Sequence, residues 1–256
     1  MLEPILAAVS GFVAGVFSGA FGVGGGMITT PAARLVLGYP GLVAVGTSLL
    51  VVILTAAVAL WAHLRRGQVD LSVVPTIVGW GMLAAIAGAG LGTVLGHSVV
   101  LLLVAGLLVV TSASFLRKPV DPHVTSGPAE GGVRGVWPLR LTGVFAGLLS
   151  GLLGIGGGIV IVPILVRHFG YPIKRAIGTS LAGVIGLAMP GAVAHHLLGN
   201  VDVSLALGLA IGSVPGALMG AWLTSVAADQ TVRAGFGVFL AFAGTWLAYS
   251  ELAALL

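Results

Sequence analysis

The sequence predicts an all-α polytopic membrane protein built from two homologous halves, and three observations carry that prediction. Hydrophobic residues are 58% of the 256 and charged residues only 7%, whereas an ordinary soluble domain carries about 25% charge. Too few polar side chains are present to coat a globule of this size in water. Long apolar runs are separated by short loops that hold Gly, Pro and the few charges, the pattern of membrane spans. Finally, the chain repeats itself. The offset from Gly11 to Gly143, 132 residues, recurs without a gap at Gly19 and Gly151, Pro31 and Pro163, Gly46-Thr47-Ser48 and Gly178-Thr179-Ser180, His63 and His195, and Asp70 and Asp202. One register held over so long a stretch is a duplication rather than low-complexity similarity.

In chain order the apolar segments fall at about 5–21, 27–37, 43–63, 72–92, 98–116, 138–153, 159–169, 175–196, 204–223 and 231–250. Segments 43–63, 72–92, 175–196 and 204–223 have the length of about 20 residues that crosses a ~30 Å hydrocarbon core. Segments 27–37 and 159–169 are too short for that and read as half-helices or re-entrant pieces. Strands are not expected, because no period-2 polarity exists and an open sheet edge cannot face lipid. The first segment carries Glu3 where a signal peptide has a basic region, so it is read as a span. The stretch 117–137, RKPVDPHVTSGPAEGGVRGVW, is rich in Pro, Gly and charge and reads as a cytoplasmic linker. Three units follow: an N-terminal membrane repeat 1–116, the linker 117–137 and a C-terminal membrane repeat 138–256.

Basic residues bear on how the halves face. Arg65 and Arg66 follow the third segment of the first half, whereas the equivalent loop, His196 to Asp202, has no Lys or Arg. In the second half the charge sits one loop earlier, at Arg167, Lys174 and Arg175. Under the positive-inside rule, this swap fits inverted-topology repeats of five segments each, with both termini outside. Parallel repeats of four spans, each with its glycine motif inside one broken helix, are the competing reading.

Composition excludes several functions. With no Cys there is no disulfide, thiolate metal site, iron–sulfur cluster or cysteine nucleophile, and no metal or other cofactor is expected. A net charge of +4 is too small and scattered for nucleic-acid binding. No carboxylate falls inside an apolar segment, which disfavours a cation pathway lined by Asp or Glu. A small anion suits the remaining chemistry.

Candidate binding residues follow from that. Gly24, Gly25 and Gly26, with Gly156, Gly157 and Gly158, stand at the openings of the two short segments, where glycine frees the backbone and helix-start N–H groups face outward. The alternative for these glycines is close helix packing. Thr47, Ser48, Thr179 and Ser180 either cap the following spans or donate to a substrate oxygen. Arg34 either reaches the anion or snorkels to the interface. His63, His195 and His196 are candidates for proton coupling, or plain interfacial histidines. Asp70 and Asp202 read as N-caps. The triplets lack the strand and the acid of a dinucleotide fingerprint. Alanine at Gly25 or Gly157 is expected to weaken binding in a folded protein, and alanine at Gly11 or Gly143 to impair folding.

With the two G-x-G-G-G motifs, the downstream prolines, Gly38-Tyr39-Pro40 with Gly170-Tyr171-Pro172, and the two Gly-Thr-Ser triplets in view, the sequence resembles the TauE/SafE family of membrane permeases over nearly its whole length. The resemblance implies a multi-pass inner-membrane transporter, and not an enzyme, that exports sulfur-containing anions such as sulfite, sulfoacetate or other organosulfonates. Uptake of another small anion stands beside export. An intramembrane hydrolase using Ser150 is the reading from a different class, opposed by the matching Ser18 in the other half. Partners are then a small anionic substrate, the lipid bilayer, a coupling proton or sodium ion, and a second copy of the chain in a homo-oligomer.

Overall fold

A computed structural model describes residues 2–91, 105–106, 108–113, 115–116 and 136–255, with side chains given from 4 to 249 of these. The linker up to residue 135 and much of the expected segment 98–116 therefore lie outside the described residues. Those described are helical wherever they are regular: α1 Leu2–Phe21, α2 Gly26–Pro31 running into a π-helical turn Ala32–Val36, α3 Gly41–Leu64, α4 Val74–Leu91, α5 Val136–Leu153, α6 Gly158–Arg167, α7 Ile173–Leu197, α8 Val203–Val226 and α9 Asp229–Leu255. Among them, seven are long and apolar enough to cross a membrane. The two short helices stand where the sequence predicts half-helices.

Glycine decides which helices pair. Along α1, a β-carbon at Gly11, Gly15 or Gly19 would lie 2.0–2.2 Å from the carbonyl oxygens of Leu209, Ser213 and Ala217 on α8. From the other side, Gly212, Gly216 and Gly220 stand equally close to Ala8, Phe12 and Val16. The matching seam of the second half joins α5 to α4, where Gly143, Gly147 and Gly151 meet the carbonyls of Ile77, Gly81 and Ala85. In lipid there is no hydrophobic drive between helices, so backbone approach of this kind is what holds them. Each half thus lends its first helix to the fourth helix of the other.

The same contacts fix direction. Rising residue numbers on α1 meet rising numbers on α8, so these helices run side by side in one sense, as do α5 and α4. Short loops reverse the chain between α3 and α4, and between α7 and α8, so the members of each pair run in opposite senses while packing on other helices rather than on each other. Gln68 in the α3–α4 loop packs on Gly178 near the start of α7, and Asn200 in the α7–α8 loop packs on Gly46 near the start of α3. Hence α3 and α7 run in opposite senses through the centre of the bundle, where Leu49, Val52, Leu181 and Val184 are buried together. Arg65, Arg66, Arg140, Arg167, Lys174, Arg175 and Arg233 all lie towards the end that holds the α3–α4 loop, called here the basic end. Among the described basic residues only Arg34 lies towards the opposite end.

The seam is testable. Gly147→Ala puts a methyl 2.1 Å from the Gly81 carbonyl and should cost about 1–3 kcal/mol by overpacking. Gly79→Ala on α4, where nothing lies within 4 Å, should be silent. Thermal unfolding and monodispersity of the two purified variants make the comparison, and equal stabilities would contradict this packing.

Candidate functional site

The site grows out of two identical breaks in the chain. After α1, Gly22, Gly24 and Gly25 have φ of 71, 81 and 77°; after α5, Gly154, Gly156 and Gly157 have 71, 82 and 79°. Only glycine takes such values without penalty, so the repeated motif encodes one turn twice. The two turns cross. A β-carbon on Gly26 would lie 2.0 Å from the Gly154 oxygen, and one on Gly158 would lie 2.3 Å from the Gly22 oxygen. Gly24 and Gly156 both rest against Val52 and Val184 at the midpoints of α3 and α7. All of 22–26 and 154–158 is buried.

Backbone oxygens freed at the breaks are taken up by side chains. His63 Nε2 donates to the Gly19 carbonyl at 3.1 Å and His195 Nε2 to the Gly151 carbonyl at 3.0 Å. Ser180 Oγ donates to the Gly22 oxygen at 3.0 Å, and Thr30 Oγ1 to the Leu153 oxygen at 3.4 Å. Neither short helix has a side-chain cap, so first-turn N–H groups such as those of Gly26 and Gly158 have no acceptor within their helices. Beside the turns stand three wholly buried hydroxyls without a hydrogen-bond partner, Ser18, Ser48 and Ser150. Ser18 faces Gly25. Ser48 is the counterpart of Ser180 and lies one turn beyond Val45, which packs on Gly154.

A cavity of about 480 Å³ reaches this centre from the end opposite the basic one. Gly26, Thr30 and Ile155 form its floor, Phe17 and Phe239 its flank, and the exposed Arg34 its mouth. The counterpart space around α6 is filled, with Ile159, Val160, Ile161 and Val162 all buried.

The proposed residues thus divide. Gly24, Gly25, Gly26, Gly156, Gly157 and Gly158 come together, with Ser48 and Ser180 beside them. Thr47 and Thr179 stand apart from the cavity and accept the backbone N–H of Asp202 and Asp70, each at 2.9 Å. His63 and His195 lie towards opposite ends of the bundle and serve the breaks themselves. His63 Nδ1 also meets the Gln68 amide at 2.9 Å; the counterpart, Asn200, is shorter, and His195 Nδ1 has no partner. His196 is exposed. Ser18 and Ser150 were not among the proposed site residues. The only signal in the sequence is a hydroxyl recurring at one offset in apolar helices.

Two expectations need correction. Alanine at Gly25 or Gly157 does not separate binding from folding, because both have positive φ and a β-carbon would approach the Ala14 oxygen at 3.2 Å or the Ala146 oxygen at 2.6 Å. Asp70 is not a helix cap. Asp202 is one, accepting from Leu205 N at 2.9 Å. Asp70 instead accepts from the Ser72 N–H and hydroxyl, from Tyr171 Oη at 2.9 Å and from Arg175 at 3.1 Å. Burial pushes its carboxyl up, but those hydrogen bonds and the Arg175 charge outweigh it, and the group titrates below its ordinary value. Burial and the neighbouring carboxylate raise the Tyr171 phenol.

The fold defines a polytopic helical membrane protein. The chain belongs to the sulfite exporter TauE/SafE family of membrane transporters, whose model matches residues 7–247. A probable membrane transporter protein of Methanocaldococcus jannaschii is 32% identical over 210 residues, covering 79% of this chain and 75% of the relative. One from Xylella fastidiosa is 31% identical, covering 84% and 83%, and YdhB of Bacillus subtilis is 25% identical, covering 93% and 97%. No solved structure matches the chain.

The Asp70 cluster yields a prediction about acid. A carboxyl whose folded pKa is lowered adds stability above its unfolded value and loses it as pH falls through the folded one. Asp70→Asn should cost about 1–3 kcal/mol at pH 7, towards the lower figure because the Arg175 side chain is 37% exposed. It should also flatten the decline of thermal stability below about pH 4. An unchanged acid limb in the variant would contradict this.

Proposed function

We propose that this protein is a secondary transporter that exports small sulfur-containing anions such as sulfite, sulfoacetate or other organosulfonates, held where the two glycine turns cross. The observation that carries the reading is the trio of buried, unpartnered hydroxyls, Ser18, Ser48 and Ser150, beside uncapped helix starts. Buried donors are normally satisfied. An oxyanion takes several donors at once, and the described spanning helices carry carboxylates only towards their ends, so they offer a cation none at the crossing. The cavity, which opens away from the basic end, supports alternating access. Opposite senses of α1 and α5, α3 and α7, and α4 and α8 support inverted-topology repeats on either side of the linker.

In this reading the basic end faces the cytoplasm by the positive-inside bias, in a cell inner membrane. Coupling runs through a proton, carried by the substrate or a histidine, or through sodium on backbone carbonyls. A hydrolase has little support: Ser150 Oγ has no partner and His195 Nε2 is held by Gly151, so no Ser–His couple exists there.

Two experiments test these points. Proteoliposomes of the parent should take up labelled sulfite or sulfoacetate, and Ser18→Ala combined with Ser48→Ala should weaken apparent affinity about tenfold, the loss of two hydrogen bonds. Parent liposomes that move neither anion would refute the substrate. Separately, a reporter fused after α9 should be active outside the cytoplasm and one inserted near Asp121 inside; the reverse would refute the topology.

A further inference from the structure

A separate cavity, of about 340 Å³, lies between α3 and α8 at the basic end. Trp61, Ala62 and Leu218 form its apolar wall, and Arg65 and Arg66 both line it beside them. The end of α3 sets the two arginines. Their N–H groups bond back to the Trp61 and His63 carbonyls at 3.2 and 3.1 Å, and Gly67, with φ of 65°, then turns the chain away. The Arg65 guanidinium lies over the Trp61 ring, 3.9 Å from its centroid. Arg66 Nη1 donates to the Ala62 carbonyl at 2.8 Å. A stacked face and one hydrogen bond leave most of the guanidinium donors uncommitted. Neither arginine has a carboxylate partner among the described residues. Asp70, the acid of the same loop, is held by Arg175.

Deeper in the bilayer the same surface is apolar. Leu54 precedes Trp61 on α3 by two helical turns, as Ile211 precedes Leu218 on α8, and all four side chains are exposed. Since α3 and α8 run in the same sense, these residues border one furrow that descends from the arginines. The repeat shows that the furrow needs no cation. At the 132-residue offset stand Val193, Ala194, Leu197 and Leu198 in the second half and Ile86 in the first, all apolar. An exposed furrow between spanning helices is covered by acyl chains, and a basic pocket at its interfacial end selects an anionic headgroup. Guanidinium forks match phosphate oxygens in pairs. We propose that Trp61, Arg65, Arg66 and Leu218 form a binding site for an anionic phospholipid. Its phosphate sits on the two guanidinium groups, and one acyl chain runs down the furrow past Leu54 and Ile211. The site requires only that the protein spans a membrane and is independent of what it transports.

Trp61 itself reports on the site. A variant that keeps it, with Trp80→Phe, Trp137→Phe, Trp222→Phe and Trp246→Phe, is reconstituted in vesicles of dibrominated phosphatidylcholine, which quenches indole fluorescence on contact. Dioleoyl phosphatidylglycerol, which carries no bromine, is then mixed in, and the relief of quenching gives its binding constant relative to phosphatidylcholine. That ratio should be about fivefold. A second reporter, with Trp61→Phe as well and Val193→Trp in the uncharged counterpart furrow, should give a ratio of about one. Arg65→Gln with Arg66→Gln should bring the Trp61 ratio down to about one, while Arg65→Lys with Arg66→Lys keeps it above one. Millimolar inorganic phosphate at constant ionic strength should leave it unchanged. Equal ratios at Trp61 and at position 193, or a preference that survives the loss of both arginines, overturn the site. Loss of the preference in phosphate would make this a free oxyanion site instead. A Trp61 that no brominated lipid quenches would mean that protein, such as a second copy of the chain, covers the furrow, which also overturns the proposal. Should the glutamine pair fail to fold, the two reporters that keep both arginines decide the matter by themselves.

Discussion

A backbone that leaves helical geometry inside a bilayer must still pair every polar group, because no lipid atom can do so. Among the described residues the chain breaks at Gly22–Gly25 and again at Gly154–Gly157, and the rest of the structure depends on how those breaks are satisfied. Histidines on the following long helices take up the last carbonyls of α1 and α5. Further in, Ser180 and Thr30 bind oxygens of the opposite half. Neither half can close its own break. This explains why the duplicated sequence folds as an exchange, with α1 against α8 and α5 against α4, rather than as two neighbouring bundles.

From that exchange follows the site. Crossing the turns buries them and leaves donors beside them that the protein does not use, Ser18, Ser48 and Ser150. The two halves then depart from symmetry. Pro31 is followed by a π-helical turn, whereas Pro163 lies within a continuous α-helix. The cavity opens beside the first, and apolar side chains fill the space beside the second. Asp70 and Asp202 likewise hold equivalent positions but different partners, since Arg175 has Val43 as its counterpart. The interlock at the basic end therefore carries an ion pair, Asp70 with Arg175, that Asp202 does not have among the described residues.

Much of the fold was legible before any coordinates. Composition gave the solvent and, with it, the helical class. The short runs after each glycine cluster located the half-helices, because a glycine turn and a length below a full span are both local properties. The partners of side chains were not legible. Thr47 meets Asp202 and Thr179 meets Asp70 across 155 and 109 residues, so hydroxyls that look like substrate donors are staples between loops. His63 and His195 lie 44 residues from the carbonyls they bind, and nothing in their neighbourhood announces it. Ser18 and Ser150 resembled ordinary small packing residues, and only their lack of a partner sets them apart. Asp70 looked like a cap because Ser72 follows it, while Tyr171 and Arg175 come from the other half.

The central claim is that the crossing of the two glycine turns is where the substrate anion rests. Selenite, a heavier analogue of sulfite, can be located by anomalous scattering in crystals of the protein. The account predicts a peak within hydrogen-bond distance of the Ser18 or Ser48 hydroxyl, beside Gly26 at the floor of the cavity. Crystals with selenite bound elsewhere and the crossing unchanged and empty would contradict it.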